Sequence, residues 1–214
     1  RDAVQEFLPR AVKWTQAKAA WAAYCERDES GPMPDELQPI AELATSPPPV
    51  LAIAASPGAG KSTITRKVLA EFDLSALQGG DVMFHAPTLK LAEEAAEHAQ
   101  ELESGWHVTR GRSAMQPDGS GPMCKRSEEA ERVARAGLWV RPTLCERKEG
   151  DEVHRCPHFH SCAHVKQWAA LGDAPALRFE ASAYLPLTGD GSGRETALRV
   201  VDESIWRMFT RKAD

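Results

Sequence analysis

Apolar residues recur at helical spacing through the first part of the chain: Val4, Phe7, Leu8, Ala11, Trp14, Ala17, Trp21 and Tyr24. This stripe predicts a helix over 2–28. Pro9 marks either a kink in it or its true start. Gly31-Pro32-Met33-Pro34 ends it, and a loose segment runs on to Pro47-Pro48-Pro49. The pattern then changes. Val50-Leu51-Ala52-Ile53-Ala54 is a continuous apolar run of strand length, predicting a first strand at 50–55 and a helix at 63–72. Gly79-Gly80 turns into a second strand at 81–86. Pro87-Thr88 opens a helix over 89–102, with Leu91, Ala95 and Ala99 on its inner side. A short strand follows at 106–109. Residues 110–172 lose the periodicity and are rich in Cys, His, Arg, Gly and Pro, with helices predicted at 127–136 and 163–170. Strand patterning returns at 176–181 and 197–201.

Strands alternating with helices predict an α/β domain with a parallel sheet and helices on both faces. Three parts follow from the pattern: an N-terminal helix and linker over 1–49, a sheet domain over 50–109 and 173–214, and an insertion over 110–172. A structureless loop as long as the insertion is improbable in a compact domain, so something must order it.

The junction of the first strand and the next helix carries the strongest chemical signal. Ala55-Ser56-Pro57-Gly58-Ala59-Gly60-Lys61-Ser62 is a glycine-rich turn between strand and helix. Such a turn lets backbone N–H groups of Ser56, Pro57, Gly58, Ala59, Gly60, Lys61, Ser62 and Thr63 (proline excepted) surround phosphate oxygens, with the helix's positive end behind them. Lys61 has the reach for β- and γ-phosphates, and the Ser62 hydroxyl is a Mg²⁺ ligand in this layout. The pattern predicts a P-loop NTPase, RecA-like sheet binding ATP with Mg²⁺. Its second half is Arg199-Val200-Val201-Asp202-Glu203, an apolar strand ending in two carboxylates. Asp202 is placed to hold Mg²⁺ and Glu203 to act as general base on water. Lys61, Asp202 and Glu203 are therefore the candidate catalytic residues.

Charge modifies this picture locally. The chain of 214 residues has net charge −5. The stretch 107–166 holds 11 Lys/Arg against 8 Asp/Glu, net +3, and the remainder 15 against 23, net −8. A basic middle in an acidic chain fits a local polyanion contact, and equally a scatter of solvated charges. No apolar run is long enough to span a bilayer, and the N-terminus lacks the apolar core of a secretory signal. Together with a nucleotide loop, this gives the cytoplasm as the expected compartment. The first residue is Arg, the expectation for a piece of a longer protein.

Of five cysteines, Cys25 reads as a small core residue on the first helix. Cys124, Cys145, Cys156 and Cys162 fall in the insertion, where a reducing compartment favours a metal site over disulfides. Thiolates suit zinc and iron–sulfur clusters alike. His154, His158, His160 and His164 crowd the last two cysteines and allow a Cys/His zinc site as well.

The order of features resembles a known family. Ala86-Pro87-Thr88-Leu89-Lys90 is similar to helicase motif Ia. Cys156-Pro157-His158-Phe159, Ala183-Tyr184-Leu185 and Val201-Asp202-Glu203-Ser204 resemble the iron–sulfur DNA helicases of superfamily 2, the xeroderma pigmentosum group D and damage-inducible helicases. The resemblance covers about residues 50–206. It implies a [4Fe–4S] cluster on Cys124, Cys145, Cys156 and Cys162, with zinc as the alternative, beside a path for single-stranded DNA or RNA. Arg110, Arg112, Lys125, Arg126, Arg141, Arg147 and Lys148 would line that path, with Trp139, Phe159 and Trp168 as stacking surfaces. Trp106 and Trp206 are assigned to the core. Two features depart from the family: the acidic motif reads Asp-Glu-Ser-Ile, and the cysteines are more widely spaced. The chain ends before any second motor domain, so the resemblance implies the first half of a motor, inactive or weakly active alone. Two other readings stand beside it: a P-loop ATPase of primase–helicase or kinase type, and a zinc-binding nucleic-acid module with a degenerate nucleotide fold.

Overall fold

The structure, a computed structural model, describes residues 1–27, 33–54, 56, 58–77, 80–97, 99, 106–185 and 194–202. Ala55, Pro57, Gly79, Glu203, Trp206, the Gly31-Pro32 turn and the last residues of the 89–102 helix lie outside these.

A four-stranded parallel sheet forms the centre, built from β1 (Asp81–Ala86), β2 (Trp106–Val108), β5 (Leu177–Ala181) and β6 (Thr196–Val201) in the order β2-β5-β1-β6. Its register aligns Phe84 with Phe179 and Val200. Strands alternate their side chains, so Val82, Phe84, Ala86, Leu177, Phe179 and Val108 share one face. That face meets α1 (Asp2–Cys25), α3 (Lys61–Ala70) and α4 (Leu89–Glu97) in one core containing Val4, Leu8, Val68, Leu69, Ala92, Ala95 and Ala96. The alanines of α4 let that helix lie close on the sheet. The ring centroids of Phe84 and Phe179 are 5.7 Å apart at the middle of the core.

The other face is not apolar. Arg178, Glu180, Asp81 and His85 are completely buried there. Asp81 accepts from Arg194 Nε at 2.7 Å, from Arg178 Nη1 at 3.3 Å and from the Ala176 amide at 3.0 Å. Arg178 Nη2 donates to Glu180 Oε1 at 2.5 Å, which also accepts from Thr109 Oγ1 at 2.8 Å. Carboxylates and guanidiniums alternate, which offsets part of their desolvation cost. Trp168, from the insertion, stacks over the Arg178 guanidinium at 5.1 Å. The sheet is parallel and flanked by helices, as expected. α1, α3 and α4 pack on the apolar face, and the insertion brings the Trp168 ring to the charged one.

Several local expectations are corrected. The predicted strand at 50–55 is absent: residues 50–54 have no regular structure and are exposed, Val50 at 81%. A strand needs a neighbour, and no described residue pairs the outer edge of β6. The loose segment before it contains α2 (Gln38–Thr45), whose Ala41 and Ala44 are buried and which packs along α1. Pro39 sits at its first turn, where a missing N–H costs nothing. Cys25 and Leu91 are exposed, and Trp106 is 37% exposed. Pro9 lies inside an unbroken α1.

Gly80 has a packing reason. The register between β1 and β6 shifts at Asp81/Val82, and a Cβ on Gly80 would lie 2.6 Å from Ala197 Cβ. Only glycine fits beside that bulge. No helix of the described residues is long and apolar enough to cross a membrane.

Candidate functional site

The carboxyl ends of β1, β5 and β6 form the first candidate site, at the sheet edge where ligands of open α/β folds bind. Gly60 takes a left-handed conformation (φ 73°) immediately before α3, which starts at Lys61. Gly58 is also left-handed, at φ 79°. These turns direct the first amides of α3 away from the helix body. Lys61 Nζ donates to the Ser56 carbonyl across the loop at 3.2 Å. Ser62 and Asp202, far apart in sequence, meet: Ser62 Oγ donates to Asp202 Oδ1 at 2.5 Å. Asp202 is itself fixed by its amide, which donates to the His85 carbonyl at 2.9 Å and extends the β1–β6 ladder by one bond. Thr63, Gly58 and Ala59 are exposed beside them. Ser56, Gly58, Ala59, Gly60, Lys61, Ser62, Thr63 and Asp202 are thus gathered at one end of α3. Pro57 and Glu203 lie outside the described residues.

The segment 86–91 closes the same edge. Thr88 Oγ1 accepts the Leu91 amide at 3.3 Å, capping α4. Ser182 Oγ donates to the Ala86 carbonyl at 2.9 Å, joining the ends of β1 and β5. His85 behind them is buried without a hydrogen bond to either ring nitrogen, its Nδ1 4.0 Å from Glu180 Oε2. Burial, then Arg199 and Arg178, push its pKa down to about 4, so it is neutral at pH 7.

The second candidate site lies in the insertion. Cys124, Cys145, Cys156 and Cys162 all line one small pocket, together with Arg126 and Phe159. Cys124, Cys145 and Cys162 are buried and Cys156 is half-buried. Backbone bonds hold each one. The Cys124 amide donates to the Arg112 carbonyl at 3.0 Å, and the Cys156 amide to the Cys145 carbonyl at 2.9 Å. The His164 amide donates to the Met123 carbonyl at 3.0 Å, which fixes Cys162 beside Cys124. Between α5 (Ser127–Arg135) and a hairpin of β3 (Glu146–Glu149) and β4 (Glu152–Arg155), a single π turn, Arg141–Cys145, points Cys145 inward. Neither that turn nor the hairpin is visible in the sequence pattern. Burial, with the neighbouring Cys162 and Cys145 sulfurs, raises the Cys124 pKa. Arg112 Nη2 lies 3.9 Å from Cys145 Sγ. Among the described residues, no three His, Cys, Asp or Glu side chains are grouped to hold a single metal ion.

The histidines separate. His158 lines the cysteine pocket. His164 is buried in α6 (Ala163–Lys166). His154 and His160 are exposed, His154 near Glu149 and Glu152. The predicted basic path is also divided. Arg110 is paired with Glu93 at 2.8 Å and Arg147 with Glu149 at 2.9 Å, while Lys125 and Arg126 line the cysteine pocket. Arg112 and Arg141 line a larger cleft, described below.

No known protein family matches the chain, and no match to a curated protein or to a solved structure was found.

Proposed function

We propose that this chain is the ATP-binding first motor domain of a DNA helicase or translocase, of the iron–sulfur kind that its motifs resemble. The bond from Ser62 to Asp202 carries the reading. It joins a hydroxyl after a glycine-rich turn to a carboxylate at the end of a parallel strand, which is the pairing a nucleotide-bound Mg²⁺ needs. In this reading the amides of 58–63 and Lys61 hold the phosphates, and Ser62 and Asp202 hold the cation. The cation would neutralise phosphate charge. P-loop, RecA-like identity belongs to this proposal, as does Glu203 as general base.

The cysteine pocket fits a [4Fe–4S] cluster. What supports this is that four cysteines line one pocket and that the Arg112 guanidinium lies near the Cys145 sulfur, which suits a negatively charged group. The cluster would serve as a structural clamp for the insertion. Single-stranded DNA is the proposed partner, RNA the alternative.

One observation favours a second reading, a nucleic-acid module with a degenerate nucleotide fold: residues 50–54 lie exposed outside the sheet. Lys61→Ala separates the two. The motor reading expects Mg-ATP affinity of the chain to fall at least about tenfold, with DNA-stimulated hydrolysis by the longer protein abolished. Unchanged nucleotide binding and turnover in that variant would sink the motor reading.

A further inference from the structure

A cleft of about 800 Å³ opens beside the cysteine pocket and shares Cys145, Phe159 and Val165 with it. Its other walls include Arg112, Trp139, Arg141, His164 and Trp168. Trp139 is 63% exposed and its neighbour Leu138 56% exposed. Their presentation is built rather than loose. Gly137 (φ 75°) turns the chain at the end of α5, and the π turn holding Cys145 begins two residues after Trp139. π turns interrupt regular structure and are frequent at functional sites. A large ring held out on so short a segment, beside a cleft, is a stacking surface awaiting a flat partner.

The polar groups of the cleft narrow the ligand. Arg112 and Arg141 supply positive charge. The carboxylate on the wall, Glu131, is paired with Arg135 at 2.6 Å. Tyr184 stays protonated, its pKa raised to about 12 by burial and by Glu180. Rings together with positive charge suit a nucleotide, which has a flat base and a phosphate.

We propose that this cleft receives one unstacked nucleobase of a single strand, stacked on Trp139, with a flanking phosphate on Arg112 and Arg141. This rests on the nucleic-acid reading given above and adds the place where a base is held. Most of the cleft lies on the insertion, and Tyr184, in the turn after β5, completes its wall from the sheet domain. Trp168, another wall of the cleft, stacks on Arg178 of β5, which ties the cleft to the charged face of the sheet.

The test compares binding of the chain to an oligothymidylate and to an abasic oligomer of equal length, which keeps the phosphates and lacks the bases. The expected result is a preference for the oligothymidylate of roughly tenfold or more. Trp139→Ala should abolish the preference and Trp139→Phe should keep most of it. A 2-aminopurine placed in the strand should be quenched by the wild-type chain and not by Trp139→Ala. Equal binding of both oligomers by the wild-type chain overturns the base cleft and leaves the nucleic-acid reading standing. Preference retained in a folded Trp139→Ala variant also overturns it. Binding of neither oligomer sinks the nucleic-acid reading itself. The wild-type comparison decides even if the alanine variant does not fold.

Discussion

The loop at 58–62 and the cysteine pocket are both short segments carrying chemistry, yet they are held in opposite ways. The loop is open: Gly58, Ala59 and Gly60 are exposed, and the Ser62–Asp202 bond ties it to the sheet. The cysteines are enclosed, each on a segment fixed by backbone bonds to another part of the insertion. The proposed nucleotide role needs an open loop, and the proposed cluster gains from exclusion of water. The pocket's backbone frame is complete around its cysteines.

The largest expected effect comes from breaking the enclosed site. Cys145→Ser removes a sulfur from the end of the π turn. Loss of a bound metal group is among the few single changes costing more than about 4 kcal/mol. With the proposed cluster in the pocket, thermal unfolding should show a loss of that size, together with loss of visible absorbance and bound metal. Mg-ATP affinity should stay within about twofold, because the open loop does not depend on the pocket. A matching fall in both would show that the two sites are one unit.

A change beneath both sites should be next in size. Arg178→Met leaves Glu180 buried without its guanidinium, leaves Asp81 to Arg194, and removes the cation under Trp168. Breaking a buried pair in this way costs about 3–5 kcal/mol. Chemical denaturation would measure it. Oligonucleotide affinity should fall as well, because Trp168 loses its support. A stability change below about 1 kcal/mol would mean that the charged face does not hold the insertion.

The smallest effect concerns pH. His107 packs against Trp168 at 5.7 Å, and its pKa is lowered to about 4, chiefly by burial and then by Arg178, against a raising bond to Gln167. The fold therefore favours neutral His107. Its contribution is complete above the ordinary value near 6.5 and is lost as pH falls towards 4. On the order of 2 kcal/mol should disappear between pH 7 and pH 5. His107→Asn should flatten that part of the stability curve. An unchanged slope would place the titration elsewhere.

Much of this was legible in the sequence because it is local. The stripe from Val4 to Ala17 gave α1, the alternation in 81–86 and 177–181 gave two strands, and Gly58, Gly60 and Lys61 gave the turn and helix start. Other features were not legible. Residues 50–54 have a strand's composition, but a strand also needs a partner, and pairing is non-local. The apolar stripe of α2 was hidden by Pro39 and by the prolines on either side of the helix. The π turn and hairpin between Arg141 and Arg155 have no period of their own, because their packing around the cysteines decides them.

Local sequence determined most of the helices, core strands at 81–86 and 177–181, the glycine turn before α3 and the four clustered cysteines, since each depends on residues near one another in the chain. Only the tertiary structure decided that Asp202 meets Ser62, that four cysteines share one pocket, and that one face of the sheet is charged. Those outcomes depend on strand order and register. Register places His85 beside Glu180, and strand order sets Arg178 beside Asp81. Alternation along a strand also sends Leu177 and Arg178 to opposite faces. A sequence can specify that arrangement, but only the assembled sheet displays it.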